Sequence, residues 1–496
     1  MHTQYSSSHR KKNQPAFTVK GVCLKGMLIQ AALLLSACST LGEKSELDVP
    51  FKDAQFRNQT TTNQDATVVE STANLTQGTW WEVFGDAQLN ALIKDAIENN
   101  KDLDAALARL EASQASLDAA TASLFPTLNF STTRTKSVVK GSAIQGNVNN
   151  TRGFTTSAQF SASYELDVWS RVRASRQAAN LQFQATAYEV QAAELSIAGQ
   201  VATAYIQWQA AQLTVQQFEK EVADFQTNLK LVEFRFKQGS IPASDVLQQR
   251  QLLESSLGNL ALAQANKDVI ANSLNLLTGR PPNQLKISPL NALPVPTTPP
   301  PLGIPADVLQ RRPDVQQAWA QLASTDQSVA AAMAARLPQL TIQASFGDQV
   351  RDSEFLFDNW VRNLSINLLA PLFDGGARAA EVERRQALMR QAIAQYQQVS
   401  LRALQEVDNA WVQEDGQREA VQSLKKQIAL AELSLNRLFA AYRSGGANYL
   451  AILNAQQSAS ALKRSLINAQ QQELTFRIAL YRALSGPIQQ SNTQAQ

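Results

Sequence analysis

The chain has 496 residues, with 45 Lys and Arg, 42 Asp and Glu, two histidines and two cysteines. Residues 1–37 hold five of the basic residues, none of the acidic ones, both histidines (His2, His9) and Cys23, which leaves 40 basic against 42 acidic residues and Cys38 as the one cysteine beyond them. That balance gives no electrostatic reason to expect a nucleic-acid partner, and it excludes disulfides within residues 38–496, thiol or histidine catalysis and most zinc sites there.

Arg10, Lys11, Lys12, Lys20 and Lys25 precede an apolar run, Met27 to Ala37, that is too short to remain as a membrane-spanning helix. Residues 1–37 therefore read as a signal peptide, with a basic region long enough to be compatible with a start downstream of Met1. The run ends Leu35-Ser36-Ala37-Cys38, which resembles the lipobox of bacterial lipoproteins; the plainer reading is a small-residue cleavage site that contains a cysteine. On the lipobox reading Cys38 is lipidated, Ser39 resembles an outer-membrane sorting signal, and the lipid is the only covalent group expected; no cofactor or metal is. Residues 38–79, polar and rich in Thr and Gln, read as an extended segment leading from that anchor.

Trp80 to Asp86 opens a helix with Leu89, Leu92, Ile93 and Ile97 on one face, and the pattern continues to about Leu124 before Pro126 ends it. Leu128, Phe130 and Thr132 then begin a strand that precedes a polar loop, Lys140 to Arg152. From Phe154 to Val168, apolar and polar residues alternate without interruption, the signature of a two-faced strand. Arg171 to Gln238 has no proline and a single glycine, Gly199, and at about 1.5 Å per residue makes a helix of roughly 100 Å. Gly239-Ser240-Ile241-Pro242 turns the chain. A second helix returns from Ala243 to about Leu277, and alternating spacings of three and four along the pair mark a coiled-coil seam.

A proline-rich linker, residues 281–305, precedes a second copy of this pattern. Asp102, Ala106, Leu110, Pro126 and Leu128 recur 212 positions later as Asp314, Ala318, Leu322, Pro338 and Leu340, and Gly239, Val246, Gln251 and Leu260 recur 206 positions later as Gly445, Ile452, Gln457 and Leu466. Strands recur at Leu340 to Phe346 and Trp360 to Leu368, flanking a loop with Asp348, Arg351, Asp352 and Glu354. The units are 80–280 and 306–486, followed by a tail, 487–496. One hairpin alone would fit a soluble sandwich. Four strands of about membrane-spanning length in an exported chain fit a transmembrane barrel instead, and four are too few to close one, so the chain must oligomerise to hide its edges.

At these residues the chain resembles the outer-membrane efflux channel lipoproteins of the TolC and OprM type. The marks are Trp80-Trp81 with Phe84-Gly85-Asp86, Phe125-Pro126-Thr127-Leu128 and Tyr164-Glu165-Leu166-Asp167-Val168-Trp169, then Leu309 to Val315, Pro371 to Gly376, and the tips at Gly239 and at Tyr442-Arg443-Ser444-Gly445. The match covers about residues 75 to 486. It implies a mainly α fold with a membrane β-barrel portion, a homotrimer whose twelve strands form one barrel continued by an α-helical periplasmic tunnel. It also implies a periplasmic adaptor and an inner-membrane pump as partners, with outer-membrane lipid around the barrel.

The resemblance further implies a role for particular residues. The adaptor meets the tips, Gly239 and Ser240 in the first hairpin and Gly445 and Gly446 in the second; glycine there also simply turns the chain. The periplasmic aperture falls at Tyr449, Leu450 and Asn454 with Asp245 from the first tip. Asn454 stands where relatives of this type carry an aspartate, and Ala447 where a basic partner for Asp245 is usual, with Arg443 a candidate substitute; Asp245 alternatively serves its own helix dipole. Trp208, Trp319 and Trp411 read as packing residues. The function expected is a passive conduit for small molecules across the outer membrane. The alternatives are a protein-secretion channel or a non-conducting periplasmic scaffold; an enzyme is the weakest reading, because no carboxylate pair or Ser-Lys arrangement stands out.

Overall fold

The computed structural model describes residues 51, 56, 79–139, 151–294, 300, 305–350, 360–444 and 446–488. A 3-10 turn, Trp80–Phe84, leads into α1 (Ala87–Asn99), α2 (Lys101–Ala122), β1 (Thr127–Val139), β2 (Thr151–Leu166), α3 (Arg171–Lys237) and α4 (Ala243–Leu277). The order then recurs as α5 (Pro305–Arg311), α6 (Pro313–Ala334), β3 (Gln339–Val350), β4 (Val361–Leu369), α7 (Ala377–Arg443) and α8 (Tyr449–Leu484). Both α3 and α7 have 67 residues, both α2 and α6 have 22, and α4 and α8 have 35 and 36, so the duplication seen in sequence is carried through in structure.

The helix expected from Trp80 to about Leu124 is in fact three pieces. Gly85 closes the 3-10 turn, and Asp86 caps α1 by accepting from the N–H groups of Gln88 and Leu89 at 2.8 and 3.2 Å. Asn100 then leaves the helical region (ψ 129°) and caps α2, its Oδ1 accepting from Asp102 and Leu103 at 2.9 and 3.2 Å. Its Nδ2 donates to the Leu277 carbonyl at the last turn of α4, 2.8 Å away. One buried amide thus begins one helix and ends another, which sets α2 and α4 end to end; an N-cap alone is worth about 1 kcal/mol. Gly279, at φ 67°, lets the chain leave α4 here, since a Cβ would fall 2.2 Å from the Asn99 carbonyl oxygen. In the second unit Arg312 holds the same place, donating from Nη1 to the Ala483 carbonyl at the end of α8 (3.3 Å) while pairing with Asp314 and Glu406, and Pro313 opens α6.

The long helix α3 is the axis of the packing, touching α1, α2, α4, α6 and α8, while α7 packs on α6 and α8. Its middle third is small and apolar where it meets the others: Ala198, Val201, Ala202 and Ile206 are buried against Leu89 and Ile93 of α1 and Leu474 and Ile478 of α8. Trp80 is fully buried there and stacks on Tyr481 at 6.2 Å. Phe56, from the N-terminal segment, is buried against Val308, Val407 and Leu480. Trp208, Trp319 and Trp411 all pack in or against buried apolar clusters.

The strands form one antiparallel sheet in the order β1-β2-β3-β4. Its register puts Leu128, Ala162, Ala344 and Leu364 on one rung and Asn129, Ser161, Ser345 and Asn363 on the next, so the alternation legible in each strand adds up to one apolar and one polar face across all four. Among the described residues no helix packs on either face. β1 and β4 each have a neighbour on one side only.

Candidate functional site

The sheet and the two helical tips are the parts of the molecule whose chemistry its own packing leaves unused. On the sheet, Leu128 and Leu364, the outer members of one rung of the apolar face, are 72% and 75% exposed. A soluble protein would cover such a surface. The opposite face carries hydroxyls and amides, the rung Thr127, Ser163, Gln343 and Ser365 being typical. The charged group on that face near the helical end, Glu165, is bound by Arg171 through two bonds of 2.6 and 2.9 Å. A lipid-compatible wall backed by a hydrated, nearly uncharged one is the cross-section of a pore lining.

Both tips lie at the far end of the long helices from the sheet, and they pack on each other. At the first tip the Gly239 N–H reaches the Phe236 carbonyl and the Ser240 N–H the Arg235 carbonyl, at 2.9 and 3.0 Å, a Schellman turn that needs the left-handed conformation Gly239 adopts at φ 69°. Gly446 repeats the bond 206 positions on, its N–H meeting the Ala441 carbonyl at 2.8 Å; Gly445 lies outside the described residues. Gly239, Ser240 and Gly446 are exposed, as are Phe234, Phe236 and Leu247 beside them.

Beneath the turns, Val232 of α3 and Val246 of α4 are buried against Tyr449, Ile452 and Leu453 of α8. The Tyr449 hydroxyl donates to Gln249 Oε1 at 2.8 Å, and Gln249 Nε2 donates to the Phe225 carbonyl at 2.9 Å. Tyr449 is thus a latch inside the chain rather than a residue on an open surface, and burial, then the neighbouring Tyr442 and Asp245, pushes its phenol above the ordinary range. Leu450 and Asn454 stand on the opposite, exposed side of α8. Asp245 is half-buried in the first turn of α4, and among the described residues no ion pair joins it to Arg443.

Two groups escaped the sequence reading. Gln249 is fully buried on the apolar seam of α4, a polar residue at a seam position being the signal that could have marked it. Midway along the helices, Arg477 of α8 and Glu414 of α7, both 2% exposed, form a buried pair in which Arg477 donates from Nε at 2.8 Å and from Nη2. Burial works against the guanidinium's charge, but the bonds to Glu414 more than restore it. Nearby Glu473 has its carboxyl pushed above the usual range, by burial first and by Glu414's charge second.

The chain matches the family described as outer membrane efflux protein over residues 92–280 and 304–486. It is 30% identical over 468 residues to the pyoverdine export outer membrane protein OpmQ of Pseudomonas aeruginosa, covering 92% of this chain and 96% of that one. It is 25% identical over 457 residues to the cation efflux system protein CusC of Escherichia coli, covering 92% and 97%. The solved outer membrane protein VceC of Vibrio cholerae superposes with a TM-score of 0.76 at 25% identity, covering 84% of this chain and all of that one.

Proposed function

The chain belongs to the outer membrane efflux protein family, and on that premise we propose that three copies close one barrel of twelve strands in the outer membrane, continued by an α-helical tunnel into the periplasm. The observation that carries this reading is the sheet: two unpaired edges, an uncovered apolar face and a polar face without free charge. Neither edge can sit in lipid unpaired. Joining β4 of one copy to β1 of the next satisfies both and turns the polar rungs inward. The barrel wall then exerts little charge selection, so the pump and adaptor determine what is carried; small molecules delivered from the inner-membrane side are the cargo. The non-conducting scaffold has no use for such strands.

The exposed Gly239, Ser240 and Gly446, together with Phe234, Phe236 and Leu247, form the surface offered to the adaptor, and Gly445, outside the described residues, belongs to the same tip in sequence. Leu450 and Asn454 face the axis and form the constriction, with Asp245 nearby and no fixed charge from α8 at that level. Cys38, outside the described residues, carries a lipid that adds a second hold on the membrane; Cys38→Ser should abolish incorporation of labelled palmitate, and continued labelling would refute the assignment. Detergent-extracted protein should have the mass of a trimer and conduct in a planar bilayer. A conducting monomer would overturn the shared barrel.

A further inference from the structure

Among the described side chains, three cations stand on the apolar face of the sheet, the face that the shared barrel turns toward lipid. Arg134 and Lys136 follow Leu128 and Phe130 in the alternating set of β1, and Arg362 belongs to the set of Leu364, Ile366 and Leu368 on β4. All three are exposed, and no carboxylate among the described residues pairs with them. Each lies instead over an aromatic ring: Arg134 and Lys136 at 4.8 and 5.6 Å from the centre of Phe154, Arg362 at 5.5 Å from Phe346, which itself stacks on Trp360. A charge on the lipid face is expensive at mid-bilayer and cheap only where head groups can reach it, and an aromatic band marks that level.

Their height is set by the strands. Arg134 is seven residues from Thr127 and Arg362 seven from Leu369, the two residues where β1 and β4 meet the helical part. At a rise of about 3.3 Å per residue and a tilt of about 40°, both stand roughly 18 Å above that rim, in the outer part of an apolar band about 25 Å tall, with Lys136 higher still. Arg134 and Arg362 are at opposite edges of one sheet. In the closed barrel, β4 of one copy lies about 5 Å from β1 of the next, which brings Arg362 beside the neighbouring Arg134 and Lys136. Asp348 is on the same face but is buried, so among the described side chains three positive charges face one negative.

Resting on the shared-barrel reading, we infer that each junction between copies is a binding site for the phosphate of an outer-leaflet glycolipid, held by Arg134 and Lys136 of one copy and Arg362 of the next while the acyl chains lie on Leu128, Leu364 and Ile366. Guanidinium forks suit phosphate oxygens, and the site exists only in the trimer.

The test uses the delipidated full-length protein and native mass spectrometry. Bisphosphorylated lipid A should bind at up to three copies per trimer, and lipid A stripped of its phosphates on the order of a hundredfold more weakly. A variant carrying Arg134→Gln, Lys136→Gln and Arg362→Gln should lose that preference while remaining a conducting trimer, and inorganic phosphate at equal concentration should not displace the lipid. Equal binding of the two lipids by the parent, an unchanged preference in the variant, or displacement by inorganic phosphate would overturn the site. If the variant fails to assemble, the parent's comparison of the two lipids decides alone. A monomeric, non-conducting parent would overturn the barrel itself, and shows in the spectrum before any lipid is added.

Discussion

Arg477→Met should cost about 3–5 kcal/mol of stability, because it leaves the Glu414 carboxylate buried without its cation. Glu414 Oε2 already has no hydrogen-bond partner, so no spare donor stands ready to take over. The fall in thermal unfolding temperature of the detergent-extracted protein, relative to the parent, measures the effect. Replacing both residues, Arg477→Met with Glu414→Leu, should recover most of the loss, since an apolar pair of similar volume avoids the desolvation that the ion pair has to offset. A single variant as stable as the parent would mean that water reaches the pair. The raised carboxyl of Glu473 adds a pH dependence in the same place. Its contribution to stability is full below the unfolded value and is lost as pH rises through the folded one. Glu473→Gln should therefore be neutral or stabilising at pH 7, and should flatten the decline of stability with rising pH.

Much of this architecture was legible in the sequence because it rests on periodicity, which is local. The helix expected over Arg171 to Gln238 occupies Arg171–Lys237 and its return occupies Ala243–Leu277. The strands follow the alternation with two shifts: β2 runs Thr151–Leu166 rather than to Val168, and β3 continues to Val350, taking in Asp348, which the sequence placed in the loop. The break at Asn100 was missed because the residues on both sides keep a helical pattern; the interruption is a cap whose second half, the Leu277 carbonyl, lies 177 positions away. Asn followed by Lys-Asp-Leu-Asp does carry a start signal, an N-cap with acidic residues in the first turn. Nothing local marks Arg477 and Glu414 as partners 63 residues apart, since each looks like an ordinary charge on a helix. Tyr449 and Leu450 are adjacent in sequence, yet α8 turns one into the chain's own packing and the other out of it.

That division at the second tip leads to the other large effect. Tyr449→Phe should raise the conducting fraction of the channel about 5- to 150-fold, as single-channel current in a planar bilayer would show. The variant keeps the ring that packs against Ile452, Leu453 and Val246 but removes the hydroxyl that donates to Gln249. Gln249 is held by its other bond to Phe225 and is fully buried, so its Oε1 becomes an unsatisfied acceptor at a cost of about 1–3 kcal/mol. Only the state with the tips packed together bears that cost; once they separate, water satisfies the amide. The equilibrium therefore moves toward separation by the same free energy, each 1.4 kcal/mol being tenfold in population. Adding Gln249→Leu should reverse the change, because removing both partners leaves no orphan. If Tyr449→Phe conducts as the parent does, the channel does not open by parting α8 from α3 and α4, and the constriction proposed at Leu450 and Asn454 would have to widen while the latch stays closed.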